Sequence, residues 1–73
     1  MLPLTLNPVN SETCIKRISG NKEIVKQLAN MGFISGSKVK VISNQEGNLI
    51  VEVKNCRYAL DHKLASKIMT GID

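Results

Sequence analysis

Leu28-Ala-Asn-Met-Gly32-Phe33-Ile-Ser-Gly36-Ser-Lys38-Val-Lys40-Val41 reads as the end of a helix, a glycine stop, a second glycine turn and the opening of a strand. Gly32 stands where a helix C′ residue adopts positive φ, a conformation cheap only without a Cβ. Phe33 then becomes C″ and folds back toward Leu28, the apolar contact of a Schellman stop. Ser35-Gly36-Ser37 supplies a turn, and Lys38-Val39-Lys40-Val41 alternates as a half-buried strand does. The stretch delivers a helix onto the start of a sheet at a fixed angle.

Working back from it, Ile24, Val25, Leu28 and Met31 recur at helical spacing on one face, with Lys22, Lys26, Gln27 and Asn30 on the other. Asn21 is the expected N-cap and Glu23 lies near the positive end of the dipole, giving a ten-residue helix. Thr13 to Ile18 reads as a strand, and the spacing of three between Ile15 and Ile18 predicts a bulge or strong twist. Leu2, Leu4 and Leu6 alternate in an extended arm with one apolar face, which Pro3 and Pro8 hold at an edge.

Working forward, Lys38–Ile42 and Leu49–Val53 flank a 43–48 hairpin loop, with Leu49, Val51 and Val53 facing inward. Asn55 marks a second tight turn, because Asn tolerates positive φ. Arg57–Leu60 is a short strand, Asp61–Lys67 a single helical turn, and Ile68–Ile72 the last strand. The whole is mainly β with one α-helix: a small, partly open barrel of about five strands, the helix inserted after the first. Residues 1–73 form a single domain.

The bulk numbers narrow the functional classes. A chain of 73 residues buries only about 60–65% of its unfolded surface, so its core is small. No charged–apolar–small leader and no bilayer-length apolar run is present, and two cysteines without other extracellular signs read as reduced thiols, so the cytoplasm is expected. Ten Lys and Arg against six acids give a net charge of +4, which suits an anionic partner. One Phe, one Tyr and no Trp leave little for base stacking, so nucleic-acid binding is disfavoured.

Chemistry-bearing patterns are sparse. His62, Asp61, Cys14 and Cys56 form a metal set only if the fold gathers all four, and they lack CxxC or HxxxH spacing, so no metal site is assigned. Gly32 to Lys38 has the wrong spacing and order for a phosphate loop, and its helix presents the C-terminus, which repels anions. No nucleophile–base or paired-carboxylate set assembles, so no enzyme and no cofactor is expected. Lys16, Arg17, Lys22, Lys26, Lys38 and Lys40 crowd one third of the chain, either as outward positions of a strand, a helix and a strand or as a docking face.

The order of these parts resembles the FeoA family, small cytosolic proteins of bacterial ferrous-iron uptake. The residues carrying the resemblance are Leu2-Pro-Leu-Thr-Leu6, Ile15-Lys-Arg-Ile18-Ser-Gly20, Leu28-Ala-Asn-Met-Gly32-Phe33, Gly36-Ser-Lys-Val-Lys-Val41, Val51-Glu-Val53, Tyr58-Ala-Leu60, Ala65 and Ile68. The Leu-x-x-Met-Gly-Phe-x-x-Gly segment is the most specific. The resemblance implies an SH3-like barrel that assists FeoB, the Fe(II) transporter with a GTPase-like cytosolic region, as a non-catalytic docking module. Phe33, Lys38 and Lys40 are its expected partner-facing or loop-setting residues. The alternatives are a nucleic-acid-binding small barrel and a transition-metal-binding regulatory domain like the C-terminal domain of iron-dependent repressors. Two positions depart from the family pattern: Asn55 where Gly is common, and Asp61 where Arg is common, a reversal of charge.

Overall fold

The computed structural model describes residues 1–71. Its elements are β1 (Leu2–Pro3), a 3₁₀ turn (Leu4–Leu6), β2 (Glu12–Ile18), α1 (Lys22–Asn30), β3 (Lys38–Gln45), β4 (Asn48–Val53), β5 (Cys56–Leu60), the single turn α2 (His62–Ala65) and β6 (Ile68–Gly71). All strand pairs are antiparallel, in the order β1-β6-β2-β3-β4-β5. The strand count is thus six, one more than expected, because the two residues of β1 pair with β6. Ile72, expected to close the last strand, lies outside the described residues.

The glycine stop forms as the sequence predicts. The Gly32 amide donates to the Ala29 carbonyl and the Phe33 amide to the Leu28 carbonyl, both at 2.9 Å, with Gly32 at φ +101°. These are the two bonds of a Schellman motif. Leu28 and Phe33 are both fully buried. At the other end, the Asn21 side chain accepts from the Ile24 amide at 2.9 Å. The helix is nine residues rather than ten.

Beyond Phe33 the chain turns at Gly36, where the Ser37 amide donates to the Ile34 carbonyl at 3.0 Å. This turn is clasped by β2: the Ile15 amide donates to the Ser37 carbonyl and the Gly36 amide to the Ile15 carbonyl. The predicted bulge is present next door, as a register shift between Ile15 and Arg17 against β6. A second shift, between Val41 and Ser43, bends β3. Bulges raise local twist, which curls the sheet around its core.

That core is Leu4, Ile15, Leu28, Phe33, Val39, Val41, Leu49, Val51, Val53, Leu60, Ala65 and Ile68. It draws on every element except β1, so no helix or strand pair is independent of the rest. Two expectations need correction. The 43–48 loop is only Glu46-Gly47, both at positive φ (57° and 88°), because β3 runs on to Gln45 and β4 begins at Asn48. Positive φ at both central residues is the type I′ turn that matches strand twist. Lys54-Asn55 (φ 49° and 66°) repeats the same device before β5.

The leucine arm also differs. Pro3 ends the strand and a 3₁₀ turn follows, so Leu4 is buried while Leu2 and Leu6 are exposed. Beside the buried Leu4, a buried polar pair ties the arm down. Asn7 Nδ2 donates to Thr70 Oγ1, and Thr70 Oγ1 donates to the Leu2 carbonyl at 3.0 Å.

Replacing Gly32 with Ala keeps ordinary contact with Val53 Cγ1, 3.6 Å from the added carbon, yet forces an L-residue to φ +101°. The expected loss is about 1–2 kcal/mol, read as a lower urea midpoint at unchanged m-value.

Candidate docking surfaces

Lys38 and Lys40 stand two apart on β3, so both side chains leave by the outer face of the sheet while Val39 and Val41 enter the core. The register sets what faces them. Glu12, Lys40, Glu52 and Arg57 lie directly opposite one another across β2, β3, β4 and β5, a row of alternating charge. Arg57 Nε lies 3.5 Å from Glu52 Oε2. Opposite charges across strands stabilise the pairing by about 0.2–1 kcal/mol per pair, and they leave little net field. Lys40 therefore sits between two carboxylates, whereas Lys38 faces Cys14.

Phe33 has no surface to offer a partner. It is fully buried, with its ring 5.6 Å from Tyr58 between centroids and tilted by 60°. Such a tilted pair is a favoured aromatic contact in a core. Its backbone amide closes the end of α1 through the bond to the Leu28 carbonyl.

The four residues of the weighed metal set are dispersed. Cys14 is buried on β2, Cys56 is exposed at the start of β5, and β3 and β4 lie between those strands. Asp61 and His62 follow the far end of β5, roughly 16 Å from Cys56 by strand rise. Among the described residues no three His, Cys, Asp or Glu side chains gather. Asp61 instead caps α2, its carboxylate accepting from the Leu64 amide at 2.8 Å. An arginine at this position could not accept that bond.

His62 has a packing role that sequence spacing does not reveal. The Cδ2 edge of its imidazole lies against Gly47 of the β3–β4 turn, where any Cβ would collide with the ring. The His62 amide donates to Asn48 Oδ1 at 3.0 Å, and the Gly47 amide donates to Asn44 Oδ1 at 2.9 Å. The hairpin tip is thereby bolted to α2. The outer row Ser43, Ile50 and Ala59, closed by Leu64, borders a groove of about 590 Å³. Ile50, a large apolar side chain, is exposed on it.

Tyr58 is the one tyrosine of the chain. Desolvation raises its phenol above the ordinary 10.0, with the Cys56 thiol, two residues away on the same face, adding to the effect. No helix of the described residues is long and apolar enough to cross a membrane.

The FeoA domain family profile matches residues 2–70. The chain belongs to the FeoA family. It is 38% identical over 69 residues to a Methanocaldococcus jannaschii protein named Fe(2+) transport protein A, covering 94% of this chain and 84% of that one. Its fold superposes on a crystal structure of an iron uptake regulatory protein, FeoA, with a TM-score of 0.88 and 24% identity, over 94% and 93% of the two chains. It also superposes on Stenotrophomonas maltophilia FeoA, a prokaryotic SH3 domain protein crystallised with zinc, at a TM-score of 0.83 and 22% identity, covering 97% and 91%. The SH3-like architecture expected from the FeoA resemblance holds. Among the residues missed by sequence, the Glu12–Lys40–Glu52–Arg57 row required register, and the His62–Gly47 contact required tertiary placement.

Two outcomes are expected of FeoA variants. Gly36 and Gly47 have nearly equal φ (92° and 88°), but only at Gly47 does an added carbon meet another group. Gly47→Ala should therefore cost more stability in urea unfolding than Gly36→Ala, and adding His62→Ala should recover part of the first loss and none of the second. A raised tyrosine pKa means that the neutral phenol is favoured in the folded state. The associated stability is present below about pH 10 and is lost as the pH rises through the folded value. Tyrosinate absorbance should titrate above 10 in the folded chain, and Tyr58→Phe should flatten the alkaline fall in stability.

Proposed function

We propose that this FeoA protein is a non-catalytic, cytoplasmic accessory protein of ferrous-iron uptake that acts by docking on the cytosolic region of FeoB. The observation that carries the reading is membership of the FeoA family over residues 2–70, on a fold whose surface consists of shallow grooves. The histidine, its neighbouring aspartate and the buried cysteine are not gathered into a nucleophile–base set. His62 packs on Gly47, Asp61 caps α2, and Cys14 is buried away from both. A domain this small presents a limited interface, so affinity of about 1 μM or weaker is expected.

A phosphate-binding surface has less support. The outer face of β3 brings Glu12 and Glu52 beside Lys40, and carboxylates there oppose a nucleic-acid backbone.

The test is an NMR titration of the labelled chain with the isolated cytosolic region of the FeoB from the same genome. Shift changes confined to one connected patch are expected, and flat spectra at high partner concentration overturn the docking reading. Lys38→Glu reverses a charge with no carboxylate across the strands, so it isolates the contribution of the β3 face. Lys40→Glu would place three acids in a row and weaken the sheet itself.

A further inference from the structure

Three of the grooves lined by described residues differ in charge. The hairpin groove has Asp61 as its charged residue, and the groove beside the N-terminal arm has Glu12. The third lies between α1 and β2. Val25 and Ala29 of α1 and the exposed Ile34 form its apolar walls, with Phe33 beneath, and its charged residues are Lys16 and Arg17.

The β2 bulge makes this combination possible. In an unbroken strand, successive residues point to opposite faces, and Lys16 and Arg17 could not line one groove. The register shift between Ile15 and Arg17 removes that alternation, so both residues border the same depression, with the stem of Lys16 running over Gly71. The helix adds to the rim. Lys22 is three residues from Val25 and seven from Ala29, on the same stripe, and the exposed Lys26 follows on its solvent side. Glu23, two residues from Val25, faces away. The other described acids are elsewhere: Glu12 and Glu52 in the charge row, Glu46 at the hairpin tip and Asp61 at the α2 cap.

The volume is about 250 Å³, below the roughly 300–1,000 Å³ of small-molecule pockets. It suits one or two inserted side chains. α1 buries only Leu28 completely, leaving Val25 and Ala29 half-covered. The apolar wall thus belongs to a helix face that the protein's own core does not close.

We infer that the α1–bulge groove is the docking site for an acidic protein segment, which inserts an apolar side chain against Val25, Ala29 and Ile34 while its carboxylates meet Arg17 and Lys22. The inference rests on the docking reading above and specifies its surface. Charge opposition favours this occupant, because a basic or neutral apolar segment would meet the same walls without the attraction of the rim. The exposed cations make the association salt-dependent, since charges separated by more than about 10 Å are screened at 0.1 M ionic strength.

The experiment uses the full labelled chain and the FeoB cytosolic region at low and moderate salt. Shifts at Val25, Ala29 and Ile34 are expected. Arg17→Glu and, separately, Ile34→Asn should each weaken binding about tenfold, with the folded spectrum retained because both side chains are exposed. Shifts confined to the hairpin groove or the β3 face, with both variants binding as the parent does, overturn the groove and leave the docking reading standing. Flat spectra overturn both. Binding that is insensitive to salt and to Arg17→Glu but lost in Ile34→Asn overturns the acidic partner.

Discussion

The Phe33 amide bonded to the Leu28 carbonyl is the constraint on which the remaining geometry depends. It ends α1, and it does so by turning the chain so that the ring of Phe33 itself enters the core. Without Cβ at Gly32 the turn costs little, and Gly32 can also sit over Val53 at the end of β4. Phe33 then meets Tyr58 of β5. One backbone conformation thereby links the helix to the opposite edge of the sheet. The following turn is no freer, since Ile15 of β2 bonds to it through both its amide and its carbonyl.

Bonding at Ile15 and the bulge one residue later are parts of the same event. β2 serves two neighbours: residues 12–14 pair with β3, while 14–18 pair with β6. A flat strand would carry both pairings in one plane. The extra residue at the changeover bends β2, curls the sheet around Ile15 and Val39, and re-aims Lys16 and Arg17. The aliphatic stem of Lys16 then covers Gly71, the partner of Cys14, where a larger residue would be crowded. Shape and surface charge on this side have one local cause.

Local patterning carried most of the fold. The Leu28–Gly32–Phe33 spacing, the Asn21 cap, the Ile15–Ile18 irregularity and the Leu49–Val51–Val53 alternation each depend on residues close in sequence, so each was legible. The shortened hairpin was not, because the polar run Ser43-Asn44-Gln45 resembles loop yet pairs as strand with Asn48, Leu49 and Ile50. Its strand state is set by the type I′ turn at Glu46-Gly47 and by His62, 15 residues further along the chain, pressing on that turn. The Asn7–Thr70 bond joins residues 63 apart, and no periodicity announces it. Candidate surface residues were harder still. Phe33 reads from sequence as either partner-facing or loop-setting, and its full burial turns on tertiary packing, while the bracketing of Lys40 by carboxylates turns on sheet register.

The distribution of carboxylates explains why the basic charge is uneven. Acids are fewer than cations, and the fold assigns most of them a structural place. Glu12 and Glu52 bracket Lys40 in the cross-strand row, Asp61 satisfies the first turn of α2, and Glu23 sits in the first turn of α1, where the dipole favours an anion. Those placements balance the β3–β5 face and the helix starts. They leave Arg17, Lys22 and Lys26 on the side where α1 meets the bulge. A net charge of +4 spread evenly would favour solubility and little else. Gathered beside half-buried apolar residues, it acts at short range on an approaching acidic chain, and it does so without a dedicated loop or insertion. In a domain with so small a core, a recognition surface made from the same residues that shape the sheet adds no ordering cost of its own.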